Sequence, residues 1–230
     1  MKPVAFLSAC LAVTVLLGCQ ATTVRKSTTA SFDWSSASKK VVMVEPDVQL
    51  GSLQAGGGVE PRADWTSTAL GLISKHVADR LSGKGVELVR ADNLTDPREI
   101  QLAKLHGAVG QTIQLHLYNP ALKLPTKGEA LDWTIGPGAN AFRTHYGADY
   151  ALFVYVRDSY TSAGRAVFMI GAAILGVGVQ GGQQVGFASL VDLRTGNIVW
   201  FNRIANGSGD LRTEAPAKKT VEDLLRDLPI

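Results

Sequence analysis

Histidine is the residue type best suited to acid–base or metal chemistry in this chain of 230 residues, which contains four of them. None forms the H-E-x-x-H pattern, which would place two zinc ligands on one face of a helix. His106 and His116 would share a face only if one long helix contained both. His76 lies among polar residues of a predicted helix, where we expect exposure to solvent, and His145 is far along the chain from the others. We therefore predict no metal site.

The patterns that nucleophilic and nucleotide-dependent enzymes use are missing or out of place. No serine lies in a G-x-S-x-G turn, the motif that presents a nucleophile between a strand and a helix. Residues 176–181 (GVGVQG) match G-x-G-x-x-G, but this motif binds a pyrophosphate only where a strand precedes it and a helix follows. Here a glycine, two glutamines and a predicted strand follow. We therefore expect no nucleotide and no other cofactor.

The remaining polar side chains do not converge on a site that the sequence can define. Glu45 and Asp47 are predicted to share one face at a strand end, an arrangement common on protein surfaces. A polar cluster, residues 157–162 (RDSYTS), follows the predicted central strand and precedes Gly164 and Arg165. Such a loop could be a binding edge. We favour a solvated loop with a local Asp–Arg pair, and we predict no catalytic residue.

The N-terminal 18 residues have the features of an exported precursor. A positively charged start is followed by an apolar stretch of 14 residues (4–17), interrupted by one serine and one threonine, and by a small residue. The segment Leu16-Leu17-Gly18-Cys19 resembles the lipobox of bacterial lipoproteins. The resemblance implies cleavage after Gly18 and acylation of Cys19. Two or more acyl chains anchor a protein stably to a membrane.

The residue after the lipobox bears on the destination of the protein. In lipoproteins of this type an aspartate there favours retention in the inner membrane, so Gln20 implies the periplasmic face of the outer membrane. Cys10 would leave with the signal peptide and Cys19 would carry lipid. The mature domain would therefore contain no disulfide, even in an oxidising compartment.

The composition excludes several classes of protein. Apolar residues make up 46% and charged residues 19% of the chain, as in globular proteins, so wholesale disorder is excluded. The net charge of +3 is too small to indicate nucleic-acid binding. No run reaches the roughly 18–20 apolar residues of a spanning helix, which excludes a polytopic membrane protein. We expect membrane attachment through the N-terminal lipid.

The chain divides into three predicted parts. Residues 1–18 are the signal peptide, residues 19–38 are the lipidated cysteine and a flexible tether rich in serine and threonine, and residues 39–230 are a periplasmic globular domain. Within the tether, Phe32 and Trp34 would either dock on the domain or touch lipid headgroups.

The periodicity of the domain predicts an α/β (α+β) fold, a single domain with a mixed sheet flanked by helices. It ends in a β-hairpin, with Gly196 at the left-handed position of the turn, followed by a helix. Asp96 and Pro97 mark the start of a helix that continues to about Gly110, or to Tyr118 if no strand begins at Ile113. Strands are predicted at 40–48, 86–90, 149–157, 185–194 and 197–203, and the other helices at 64–81, 140–146 and 218–228.

One apolar segment, residues 166–179 (AVFMIGAAILGVGV), must be covered by something because it holds eight large apolar side chains. Coverage by the protein's own core, as a strand or a short helix, is one interpretation. Our hypothesis is that the segment is an arm that packs on a partner, on a second copy or on the membrane surface. The residues that we predict to make this contact are Phe168, Met169, Ile170, Ile174 and Leu175.

Two motifs of the domain resemble those of a known group. Residues 147–153 (GADYALF) enter a strand and residues 188–200 (ASLVDLRTGNIVW) form a hairpin turn. They are similar to periplasmic domains related to the curli-secretion lipoprotein and the penicillin-binding-protein activator lipoproteins. The resemblance implies a non-enzymatic envelope role, as a protein-binding or assembly and secretion auxiliary module. An envelope protein partner or a homo-oligomer is expected, and an envelope hydrolase using the scattered histidines and carboxylates is the alternative.

Overall fold

The structure, a computed structural model, describes residues 23–29, 32, 40–206 and 210–230. Within these residues, eight strands form: β1 (Thr23–Thr28), β2 (Lys40–Val44), β3 (Asp47–Leu53), β4 (Val59–Pro61), β5 (Glu87–Ala91), β6 (Tyr150–Thr161), β7 (Gln184–Asp192) and β8 (Ile198–Asn206). Five α-helices connect or flank them: α1 (Ala63–Ser82), α2 (Pro97–Leu117), α3 (Asn140–Tyr146), α4 (Ala163–Ile174) and α5 (Glu214–Leu224).

All eight strands belong to one mixed sheet, whose main order is β1-β8-β7-β6-β2-β5. The central strand β6 pairs antiparallel with β7. On its other side β6 pairs in parallel with β2 along its first part and with β3 along its second part. We call the end of the sheet at which β6 finishes the Thr161 end, and the opposite end the Tyr150 end. The predicted α/β class, with hairpin β7–β8 followed by α5, is confirmed.

Helices cover both faces of the sheet. Helices α1 and α5 pack on one face, and α2 and α3 pack on the other. Strand β6 supplies both cores, because its alternate side chains point to opposite faces. Leu152 and Val154 join the first core, while Phe153 joins the second. A strand buried on both faces has no polar alternation, which explains its nearly continuous apolar sequence.

The predicted strand at 40–48 is two strands, β2 and β3, separated by Glu45 and Pro46. Proline has no N–H group to donate to a ladder, so the pairing stops there. Glu45 makes the last bond of the first strand, from its N–H to the Ala91 carbonyl at 3.0 Å. The chain then shifts along β6, where Asp47 lies opposite Tyr155. Strand β3 continues to Leu53, and a glycine-rich loop, residues 54–58, connects it to β4.

The starts and ends of the helices follow local side chains. The Asp96 carboxylate accepts a hydrogen bond from the Arg98 N–H at 2.7 Å, which confirms it as the N-cap of α2. This helix continues to Leu117 with Ile113 buried, so the alternative strand at 113 does not form. Helix α1 starts at Ala63, one residue before the predicted start. Helix α5 begins at Glu214, earlier than the predicted 218, and ends at Leu224.

Strand β1 lies within the segment that the sequence predicted as a flexible tether, and the prediction is wrong for these residues. Thr23 to Thr28 pair antiparallel with β8, and the segment is rich in β-branched residues, which favour strands. The Ser27 hydroxyl lies 3.1 Å from the Tyr118 hydroxyl. Phe32 docks on the domain, with its ring centroid 5.7 Å from that of Tyr150. Trp34 and Cys19 lie outside the described residues.

Candidate interaction surface

Helix α4 and the segment after it project from the Thr161 end of the sheet, and we call residues 163–181 the arm. The arm begins after Ser162, whose hydroxyl accepts a hydrogen bond from the Arg165 N–H at 3.1 Å and caps the helix. It turns at Gly176, whose φ of 75° is accessible to glycine at little cost. The segment predicted as a strand or short helix is therefore a helix of 12 residues followed by an irregular return.

Six large apolar side chains of the arm are exposed to solvent. Between 50% and 80% of the surface of each is accessible, and they are Val167, Phe168, Ile170, Ile174, Leu175 and Val177. Coverage of the segment by the protein's own core is therefore wrong. Ala172 is buried, and Met169 is half-buried beside Gly181. The structure thus places four of the five predicted contact residues in solvent and turns Met169 toward the arm's own return.

The exposure of the arm carries a large unfavourable free energy in water. Full burial of a large apolar side chain stabilises by roughly 1.5–3 kcal/mol, so these six, which are on average about two-thirds exposed, forgo about 6–12 kcal/mol. This approaches the whole stability of a domain, roughly 5–15 kcal/mol. Contiguous exposed apolar surfaces of this kind mark contacts with proteins or membranes. The arm is therefore the candidate functional site.

The base of the arm is held by polar contacts to the loop between β3 and β4, to the arm's own return and to the end of β6. The Arg165 guanidinium donates to the Ala55 carbonyl at 3.1 Å and to the Gln180 carbonyl at 2.8 Å. On the return, the Gly182 N–H donates to the Thr161 hydroxyl at 2.9 Å. A side chain at residue 182 would place its Cβ 2.0 Å from the Ser159 carbonyl oxygen. These contacts fix where the arm leaves the sheet, while its apolar surface faces outward.

A buried polar network lies near the Thr161 end of the sheet. The Asp158 carboxylate accepts hydrogen bonds from the Tyr160 hydroxyl at 2.6 Å and from the Gln184 amide at 3.1 Å. The Gln184 carbonyl in turn accepts from the Asn206 amide and the Thr220 hydroxyl. Burial raises the pKa of Asp158 to about 6. The polar cluster predicted as a solvated loop is thus the last part of β6, and its aspartate is interior.

Replacement of Asp158 by asparagine is expected to stabilise the protein by up to about 2 kcal/mol at pH values above about 7. The folded-state pKa lies above the unfolded value, so the folded state binds more protons between about pH 4 and pH 6, and stability falls as pH rises through that window. The asparagine side chain would keep an acceptor oxygen without the buried charge. Urea unfolding of both proteins between about pH 4 and pH 8 measures the effect.

The exposed Asp79 provides the control. Asp79→Asn, a change on the surface, should alter the free energy of unfolding by less than about 0.5 kcal/mol. If Asp158→Asn unfolds at a lower urea concentration than the wild type at every pH, the buried charge of Asp158 does not lower the free energy of unfolding.

The histidines lie at separate places, each beside its own partner. The His145 ring lies 2.7 Å from the Glu99 carboxylate, and the His116 ring lies 2.6 Å from the Leu122 carbonyl. The His106 ring is buried against the Ser189 hydroxyl, and burial lowers its pKa to about 3. His76 is buried, not exposed as predicted, because α5 covers it: its Nε2 lies 3.2 Å from Glu214 without a hydrogen bond.

The carboxylates are equally dispersed. Asp47 pairs with Arg157 at 2.8 Å, while Glu45 accepts from the Asn93 N–H at 3.1 Å, so these two do not form a pair. Glu99 is buried between α2 and α3, where its carboxylate accepts a hydrogen bond from the Tyr146 hydroxyl at 3.3 Å. Across the described residues, no group of three or more histidine, cysteine, aspartate or glutamate side chains could hold a metal ion. The glycine pattern at 176–181 lies in the arm's return, with a strand and no helix after it.

The double change Ile174→Asp with Leu175→Asp is expected to leave the free energy of unfolding within about 0.5 kcal/mol of the wild type. Both side chains are 80% exposed, so charge at these positions disturbs little packing. Thermal unfolding of the purified variant tests this.

The matched control is Leu105→Asp with Leu115→Asp on α2, where the two leucines are less than half exposed. We expect this pair to cost about 1–2 kcal/mol, since part of each side chain leaves its packing. If the arm variant unfolds at a lower temperature than this control, the arm belongs to the core of the domain.

Sequence comparisons with known proteins give no family for this chain. No family model matches it, and no curated protein matches it in sequence. Among the described residues, no helix has the length and apolar character needed to cross a membrane.

Solved structures that match include a lipoprotein, GNA1162 from Neisseria meningitidis, at 15% identity and a TM-score of 0.35 over 83% of this chain and 99% of that one. A PelC dodecamer from Paraburkholderia phytofirmans matches at 14% identity and a TM-score of 0.39, and the match covers 89% of this chain and 97% of that one. The C-terminal domain of LpoB from Salmonella enterica matches at 13% identity and a TM-score of 0.28, and the match covers 77% of this chain and 86% of that one. The solved structures that match thus include a lipoprotein, as the predicted resemblance implied, but at these identities and TM-scores the matches carry no argument about the family or the function of this chain.

Proposed function

We propose that the protein is a non-enzymatic lipoprotein of the bacterial envelope that works through contacts rather than through catalysis. Acyl chains on Cys19 would hold it at the periplasmic face of the outer membrane. Its domain would serve there as a protein-binding or assembly and secretion auxiliary module. The other component would be an envelope protein or further copies of the same chain.

The single observation that carries this proposal is the apolar arm. A chain that leaves six large apolar side chains in solvent forgoes about 6–12 kcal/mol unless something covers them. The arm is also held at a defined place, since Arg165 and the Gly182 N–H fix its base to the sheet. A surface that is apolar, projecting and fixed at its base is suited to contact.

The histidines and carboxylates give a hydrolase no comparable support. His106, the histidine most deeply placed in the core, is neutral at physiological pH because burial lowers its pKa. It is stacked on the Phe153 ring at a centroid distance of 4.6 Å, away from any substrate in solvent. The pair His145 and Glu99 joins α3 to α2, which is a structural role.

Chemical crosslinking in intact envelopes tests the proposal. The wild-type protein should form adducts of defined mass with a partner or with itself, and the mature chain should begin at Cys19 with acyl additions in its intact mass. The arm variant Ile174→Asp with Leu175→Asp should lose at least about five-fold in adduct yield, a difference of roughly 1 kcal/mol. The Leu105→Asp with Leu115→Asp control should keep its adducts.

Three results would count against the proposal. If the wild-type protein forms no adduct larger than the monomer, the proposal that the domain is a binding module is wrong. Equal adducts from the arm variant and the wild type would show that the arm does not contribute to these contacts. If Cys19 of the mature chain carries no acyl group, the predicted lipid anchor is wrong.

A further inference from the structure

The start of strand β1 and the arm lie toward the same end of the sheet. Thr23 is opposite Ala205 of β8, Ala205 is opposite Val185 of β7, and Val185 is opposite Arg157 of β6. Arg157 is four residues from the end of β6, where the arm begins. Since β1 runs away from the Thr161 end, the chain that precedes Thr23 enters the sheet from that end.

The length of chain between Thr23 and the predicted acylation site is short. Cys19 precedes Thr23 by four residues, which span at most about 14 Å. Three strand spacings separate β1 from β6, and these amount to about 14 Å. If the four residues continue outward from the Thr161 end, acyl chains on Cys19 would therefore enter a membrane close to the base of the arm.

The chemistry of the arm suits the boundary between headgroups and acyl chains. No charged residue occurs from Ala166 to Val179. The 12-residue helix is about 18 Å long, too short to span a hydrocarbon core of about 30 Å, but long enough to lie within one leaflet. Arg165 stands at the base of the helix, 5.7 Å from the Phe168 ring, where a cation would meet lipid phosphates.

We propose that the arm inserts into the lipid leaflet that holds the acyl chains of Cys19, as a second point of membrane attachment. This inference rests on the proposed acylation of Cys19. The occupant of the exposed surface formed by Val167, Phe168, Ile170, Ile174, Leu175 and Val177 is then phospholipid. Attachment through both lipid and arm holds the domain in one orientation, so that partners in the envelope meet a fixed surface.

The chain is well suited to a test by site-specific fluorescence. Its two cysteines would be Cys10, removed with the signal peptide, and Cys19, blocked by lipid. Ile174→Cys therefore introduces a single reactive thiol, which can carry an environment-sensitive dye. The control is Lys84→Cys, an exposed position beside β5 at the Tyr150 end, about 36 Å away as judged from the length of β6.

The experiment uses the full mature protein, purified in detergent and reconstituted into vesicles of phosphatidylethanolamine and phosphatidylglycerol. Intact mass first establishes the acylation of each sample. At position 174 the dye emission should shift to the blue, quenching by aqueous iodide should fall at least about five-fold relative to position 84, and brominated lipids should quench it. At position 84 none of these changes should occur.

Three outcomes overturn the inference. The dye at 174 could be as accessible to iodide as the dye at 84, which leaves the arm in water. The dye at 174 could be shielded from iodide both in detergent and in vesicles, while brominated lipids do not quench it. That result would mean that a second copy of the protein covers the arm. The dye could be shielded only after an envelope protein is added. The vesicles contain no partner, so failure here is distinct from the failure of crosslinking in envelopes.

Discussion

Gly196→Ala is expected to lower the free energy of unfolding by about 3 kcal/mol or more, through backbone strain and a steric clash. Gly196 has a φ of 79° in the turn between β7 and β8. A Cβ there would lie 1.9 Å from the Gly136 carbonyl oxygen. That oxygen belongs to the backbone, so it cannot move aside as a side chain would. Urea unfolding of the purified variant gives the measurement.

Gly85→Ala separates the two causes. Gly85 also has a positive φ, of 69°, but a Cβ there meets nothing within 4 Å. It should cost only about 1 kcal/mol, the strain alone. Equal effects of the two changes would mean that the turn can move away from Gly136.

Gly110→Ala is expected to cost about 2–3 kcal/mol through overpacking. Gly110 brings α2 onto the sheet, and a Cβ there would lie 2.0 Å from the Phe187 ring. The ring is fully buried and stacked on Tyr155 and on Phe201, with centroids at 4.6 Å and 5.4 Å, so it has no free space to enter. The midpoint of thermal unfolding should fall by several degrees.

Gly71→Ala is the matched change on α1, and it should have the opposite sign. Gly71 is exposed, and a Cβ there meets nothing within 4 Å. Alanine is favoured over glycine in a helix by about 1 kcal/mol, so this variant should gain stability. Loss of stability in both variants would show that helix packing at Gly110 is not the cause.

The sequence predicted the sheet class and most helices because these depend on periodic patterns. Ile73, Val77 and Leu81 recur at helical spacing and are fully buried. The Asp96–Pro97 start depends on one side chain and one ring, which act within a single turn of helix. Such local causes need no knowledge of the rest of the fold.

Features that depend on distant parts of the chain were not predictable in this way. His76 is buried because α5, which comes much later in the chain, lies over it. Strand β1 forms because β8 is available to pair with it. The exposure of Ile174 and Leu175 also could not be predicted from the sequence. An apolar run looks the same whether the core of its own protein covers it or another molecule does.

The borders of the sheet show how further strands are discouraged from adding to it. Strand β4 has three exposed residues and ends at Pro61, which lacks a donor. Strand β5 carries Glu87 and Arg90, both exposed, and β1 contains Arg25 and Lys26. Short length, proline and charge at open strands all oppose amyloid-like stacking of one chain on another. A protein with so much apolar surface on its arm can therefore reach a high local concentration without its sheets polymerising.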